Sequence, residues 1–293
     1  MKNILQLLFA PGFFANNQVK EAILVGGLIA FISGIIGVFV IIRGQVFAGH
    51  AISDFGGAGA AISFLLGVNT LWGFLIFSIL SSIGVEIAGK HAHERNLATG
   101  VVLSFAMGIE SLFLFLDTHN TGQSGAAMLI LFGSIFIIKS STIPVIICLT
   151  ITSLIILICI YRPLVTSSIT VELASILGIP VKFINYIFIV LLALVVGQSS
   201  LIIGALLSTA LLIGPAAIAM SFARSIKYSI LFSSIIAVSV TWLGIILAYD
   251  SYYWLPSHRN WPVSFFVCAL ILAGYLIAKM VLIISKKGDR KIV

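Results

Sequence analysis

The chain has 293 residues, of which 60% are hydrophobic and 9% charged, with a mean hydropathy of +1.22. A soluble domain carries about one quarter charged residues, so this composition excludes a soluble enzyme and predicts a protein that lives in a bilayer. The net charge is +7, but the basic residues sit in short loops, which reads as a signal of orientation rather than of nucleic-acid binding.

The first 20 residues, MKNILQLLFAPGFFANNQVK, break their apolar run at Pro11-Gly12, and no small-residue cleavage site follows. They read as an interfacial segment, not a cleaved leader. Apolar length and loop charge then place spans at Ala22–Ile42, Phe47–Gly67, Leu71–Gly89 and Leu97–Leu116. The run Ala126–Ile138 is too short to cross and predicts a re-entrant or buried half-helix on the outer side, with Lys139 toward the outside. A full span follows at Ile143–Tyr161. A polar linker occupies residues 162–182, which reads as a cytoplasmic connection holding a short amphipathic helix. Its apolar positions are Val171, Leu173, Ala174, Leu177 and Ile179, and Gly178 and Pro180 stop it. Next come Phe183–Gly197 and Leu201–Phe222, parted by Gln198, Ser199 and Ser200. The last spans are Ser229–Tyr249 and Val263–Ile284, ahead of a basic cytoplasmic tail at residues 285–293. The fold class is therefore all-α, one polytopic domain of about eight to nine membrane-crossing helices, with the N-terminus outside and the C-terminus inside. Cys148, Cys159 and Cys268 lie inside apolar runs without metal-cluster spacing and read as volume fillers.

Ionisable groups within spans cost about 2.5–3.5 kcal/mol each at the bilayer centre and are functional candidates by default. His50 and Asp54 stand at i and i+4 on one face of the second span, and the small residues FGGAGAA that follow suit close helix packing. An imidazole nitrogen and a carboxylate oxygen suit Zn²⁺, Mn²⁺ or Fe²⁺. Two ligands fit an ion in passage, completed by another helix or subunit. They also fit a His–Asp hydrogen bond that pins two helices. Glu110, halfway along the fourth span, suits a protonated acid, an aqueous cavity or a bond to a neighbouring helix. Gln198, Ser208 and Thr209 are polar groups near the kink expected at Gly214-Pro215 and are candidates to line a pathway. Glu86 is placed for an ion pair with Lys90, and His91 and His93 for a solvated loop. Asp250 and His258 belong to an aromatic-rich outer loop.

The pieces GVFVIIRGQVFAGHAISDFGGAGAAISFLLG, NLATGVVLSFAMG, LFGSI, VELASILGIPVKFINYIFIVLLAL and LIIGALLSTALLIGPAAIAM, in this order, resemble the permease subunits of ABC importers for zinc, manganese and iron. The resemblance spans about Ala22 to Leu282. It implies a homodimeric channel subunit that hydrolyses nothing itself. A cytoplasmic ATP-binding subunit would dock on Val171, Glu172, Leu173, Ala174, Leu177, Gly178, Ile179 and Pro180, the region matching the family's docking helix. An extracytoplasmic metal-binding protein would deliver the ion. No cofactor is implied beyond the transported divalent metal. The chain accordingly holds no G-x-x-x-x-G-K-[ST] loop. In one respect it departs from the family pattern: the usual order is aspartate then histidine four residues later, and here His50 precedes Asp54. Two other readings remain open: an ABC permease for a metal chelate or other small solute, and a secondary transporter carrying protons on Asp54 and Glu110. An intramembrane metalloenzyme ranks last, because H-E-x-x-H is absent.

Overall fold

The computed structural model describes residues 13, 16–88, 92–121, 125–133, 135–138, 140–205, 208–254 and 261–289. Among these every regular element is helical: α1 (Asn17–Ile42), α2 (Val46–Leu65), α3 (Thr70–Ala88), α4 (Ala92–Thr121), α5 (Gly125–Phe132), α6 (Ile143–Ile169), α7 (Val171–Ile176), α8 (Val181–Ile203), α9 (Ser208–Phe222), α10 (Ile226–Asp250) and α11 (Val263–Asp289), with short 3-10 turns between some of them. Six helical stretches are long and apolar enough to cross a membrane, and Thr70–Val85 and Ser208–Phe222 are shorter apolar helices. Each predicted span has its helix except Leu201–Phe222, which straddles the end of α8 and the short α9. The 20 residues of α2 are not among the six. That helix is too polar to face lipid, and the fold instead wraps it in protein.

The chain divides into two compact units, Met1–Val38 with Ala210–Val293, and Phe39–Thr209. In the first, α1 receives its neighbours through glycines. A Cβ at Gly34 would meet the backbone of Ser233 and Ser234, and one at Gly37 would overlap the Leu212 carbonyl. Ser233 Oγ donates to the Gly34 carbonyl at 2.7 Å, and Trp242 Nε1 to that of Ile23 at 3.0 Å. Gly244 of α10 leaves room for Val267 of α11.

In the second unit α2 is central. Gly56 and Gly59 face α3, where added methyl groups would run into Phe74, Ser78, Phe77 and the carbonyl of Gly73. Contacts this close are available only to residues without side chains, as at small-residue helix interfaces in membranes. Turns at both ends of α2 and after α7 share one mechanism. Gly44, Gly67 and Gly178 have φ of 64°, 69° and 72°, and each closes a Schellman motif. The paired bonds are Gly44 N to Ile41 O and Gln45 N to Val40 O, Gly67 N to Phe64 O and Val68 N to Ser63 O, and Gly178 N to Ser175 O and Ile179 N to Ala174 O. The stop predicted at Gly178 and Pro180 is thus realised.

Several expectations are corrected. The break expected at Gln198–Ser200 lies instead after Ile203, because α8 runs straight through the polar triplet. Ser199 Oγ and Ser200 Oγ bond the carbonyls of Val195 and Val196 four residues back, at 2.8 and 2.9 Å, and so satisfy themselves within the helix. The helix ends at Gly204, whose φ of 92° only glycine tolerates. The linker starts later than Arg162: α6 continues through Pro163 to Ile169. Likewise α11 extends to Asp289, into the segment read as a tail. Cys148 and Cys159 are exposed on α6 rather than filling a core. The expected half-helix is α5, eight residues long, stopped by Gly133 at φ 78°. Lys139, His91, His258 and most of residues 1–20, and the side chains of Glu86, Lys90 and His93, lie outside the described residues.

A Gly59→Ala change should lower the thermal midpoint in detergent, because its methyl meets immovable backbone; overpacking of this kind costs about 1–3 kcal/mol. Gly84→Ala, with nothing within 4 Å of its new methyl, should raise the midpoint slightly through helix propensity. Equal effects from the two would contradict the packing described.

Candidate functional site

His50 stands in the first turns of α2, which starts only at Val46 after the Gly44 turn. The pair is therefore nearer the helix start than a count from Arg43 suggests: His50 is about 6 Å along the axis from Val46, and Asp54 about 12 Å. His50 Nε2 lies 3.8 Å from Asp54 Oδ2, with side-chain exposures of 36% and 1%. That separation exceeds a hydrogen bond, so the pair is not the pin that the sequence left open. His50 Nδ1 and both Asp54 oxygens have no hydrogen-bond partner among the described residues. A carboxylate buried so fully without donors is unstable unless a cation or proton accompanies it.

Glu110 supplies a second acid. It is 5% exposed, its Oε1 has no hydrogen-bond partner, and it lies within electrostatic reach of Asp54. Gly57 makes the space: a methyl there would stand 2.6 Å from Glu110 Oε1 and 2.9 Å from the Ala205 Cβ. The tandem glycines thus serve two faces, Gly56 toward α3 and Gly57 toward the acid of α4. Among the described residues no three His, Cys, Asp or Glu side chains gather closely enough to hold a metal ion by themselves. His50 and Asp54 form a close pair, and Glu110 lies within electrostatic reach of Asp54.

Beside it lies the break between α8 and α9. Ser53, next to Asp54, donates to the Ala205 carbonyl at 2.6 Å and is bonded to the hydroxyls of Ser200, at 3.1 Å, and Ser208. Ala205 N donates to the Ile130 carbonyl of α5 at 2.9 Å. Irregular backbone is tolerated at membrane depth only where protein or water satisfies it, and here α2 and α5 do so. Ser208 is thus hydrogen-bonded to Ser53, next to Asp54, while Thr209, beside it, is half-buried. Gln198 is fully buried and accepts from Thr150 Oγ1 at 2.8 Å, which fastens α6 to α8. Sequence reasoning passed over Ser53 and Gly204, and it read Ser200 only as part of a polar separator and Gly57 only as part of a run of small residues. Only the double glycine and the serine between His50 and Asp54 gave a local sign of them.

The coupling region forms the short helix α7 and its cap. Ala174 is buried, whereas Val171, Leu173, Ile176 and Leu177 are exposed by 54%, 49%, 81% and 63%. Glu172 and Pro180 are exposed as well, and Ile179 half-buried. The outward face is apolar although its flanks are polar.

Residues 15–258 match the model of the ABC 3 transport family. The chain belongs to that family. It is 29% identical over 266 residues to the manganese import system permease protein ScaB of Streptococcus gordonii, covering 88% of this chain and 94% of that one. It is 29% identical over 248 residues to the manganese transport system membrane protein MntC of Listeria monocytogenes, covering 83% and 86%. A solved structure, PsaBC from Streptococcus pneumoniae in complex with Fab, superposes with a TM-score of 0.77 at 25% identity, over 91% of this chain and 92% of that one. The family member described here is thus an ABC transporter permease, a multi-pass protein of the bacterial cytoplasmic membrane.

Gly57→Ala should destabilise the permease, and Glu110→Ala in the same chain should relieve part of that loss. Neighbours that share a space couple by about 0.5–3 kcal/mol. Additive effects in a double-mutant cycle of melting would place Glu110 elsewhere.

Proposed function

We propose that this permease imports manganese as one half of a homodimer, that a cytoplasmic ATP-binding subunit docks on α7, and that an extracytoplasmic metal-binding protein delivers the ion. The carrying observation is the His50–Asp54 pair, buried at its carboxylate end and without hydrogen-bond partners there. Curated relatives along most of the chain are named for manganese import. Imidazole and carboxylate are suitable ligands for Mn²⁺, with zinc and iron as the competitors to be tested.

In this reading the ion is cargo. Asp54 offers its buried carboxylate oxygens, His50 offers an imidazole nitrogen from the more exposed end, and Glu110 places a second acid on α4 near Asp54. The ligand set is incomplete within one chain, which suits a site that must release as readily as it binds, and the second protomer supplies the rest. The hydroxyls of Ser53, Ser200 and Ser208 hold α2 against the broken backbone, while Gly204 gives α8 and α9 a place to change angle. ATP hydrolysis belongs to the partner, which engages the exposed apolar face of α7.

Manganese uptake by cells expressing His50→Ala or Asp54→Ala should fall by about tenfold or more at equal membrane abundance. Normal uptake in both would sink the assignment, and loss of zinc uptake with manganese spared would change the metal. Metal ligands must be deprotonated, so manganese binding to the purified permease should weaken on acidification and recover on return to neutral pH. Binding indifferent to acid would remove both His50 and Asp54 from the ligand set.

A further inference from the structure

Arg43 opens the turn that roots α2. It occupies the C-cap of α1, and the Schellman bonds of Gly44 and Gln45 hold that turn rigid. Gln45 O accepts from Gly49 N at 3.0 Å, so the turn passes directly into the helix bearing His50 and Asp54. The Arg43 side chain leaves in another direction. Its Nη1 donates to Ser168 Oγ at 2.9 Å and to Ser167 Oγ at 3.2 Å, in the last turn of α6. Its Nη2 donates to Asn185 Oδ1, in the first turns of α8. The guanidinium lies 5.1 Å from the ring centroid of Phe188, which is itself edge-on to Phe39 at a centroid separation of 6.3 Å.

These two stems are the ones that carry α7. Ser167 and Ser168 precede Val171, and Asn185 follows Pro180. One planar group therefore grips both legs of the helix with the exposed apolar face, and its own backbone forms the root of the helix with the buried acid. The serines are prepared for this: each donates its hydroxyl hydrogen to the Leu164 carbonyl and so presents lone pairs to the arginine. Lysine has a single point of charge and cannot span serines on one helix and an amide on another. When α7 shifts with its stems, the Arg43 bonds either pull the α2 root with them or break.

We propose that Arg43 is the positioning link through which displacement of α7 reaches the helix carrying His50 and Asp54. This rests on the reading that the ATP-binding subunit docks on α7. The test uses the full permease co-expressed with its ATP-binding subunit, reconstituted in liposomes with the metal-binding protein. ATP hydrolysis and manganese uptake are measured together, with equilibrium manganese binding to the permease alongside. For Arg43→Lys, uptake per ATP hydrolysed should fall by about tenfold, within the usual range of coupling between sites, with ATP hydrolysis and equilibrium manganese binding retained. A second variant, Ser168→Ala with Asn185→Ala, leaves Arg43 in place but removes its partners, and should uncouple in the same way. Proportional loss of hydrolysis and uptake in both variants, or unchanged uptake per ATP in either, would overturn the proposal. Docking is scored separately by co-purification: Ile176→Asp should release the ATP-binding subunit, and its retention would refute docking on α7 without altering how the Arg43 ratios are read.

Discussion

A carboxylate that is 1% exposed, in a helix too polar to face lipid, constrains everything around it. Water cannot solvate Asp54, and hydrocarbon would penalise it by several kcal/mol if it stayed charged. The only remaining solution is to surround α2 with other helices at close range. That demand explains the composition of the helix. Gly56 and Gly59 admit α3, Gly57 admits the acid of α4, and Ser53 admits the broken backbone after α8. A leucine at any of these glycines would separate the helices and open a gap beside the acid.

The same shelter makes irregular backbone affordable. Gly204 ends α8 with a φ of 92°, leaving the peptide groups around Ala205 without helical partners. Their bonds go sideways, the N–H to Ile130 and the carbonyl to Ser53. The eight-residue helix α5 is too short to cross a bilayer, and part of its role is to supply that carbonyl. The break and the His50–Asp54 pair are thereby tied to each other through Ser53.

Some of this was legible residue by residue. The four-residue spacing of His50 and Asp54 places them on one face in any helix, and the structure keeps them there. Gly178 and Pro180 marked the end of α7 because a left-handed glycine followed by proline cannot continue a helix. The half-helix α5 followed from length alone. The triplet Gln198–Ser200 misled, because polarity was taken for a break. A serine in a membrane helix can bond its own preceding turn, whereas a glycine with positive φ cannot be recognised without its dihedral angle. Glu110 stood out as an acid, but Gly57, against which it packs, lies on another helix and nothing local announces that contact. Arg43 read as an orientation charge at a helix end. Its grip on Ser167, Ser168 and Asn185 joins residues more than a hundred positions away in the chain.

By itself the sequence determined the all-helical membrane fold, the presence of most helices and the approximate limits of α2, α3 and α10, and the shared face of His50 and Asp54. These depend on apolar run length, on cap chemistry and on the 3.6-residue period, all of which act within a few residues. Only the tertiary structure decided that Glu110 packs against Gly57 within electrostatic reach of Asp54, that the helix breaks at Gly204 rather than at the polar triplet, and that Arg43 joins the root of α2 to both stems of α7. Each of these is a meeting of distant segments, and which groups meet is settled by how closely side-chain-free surfaces let helices approach.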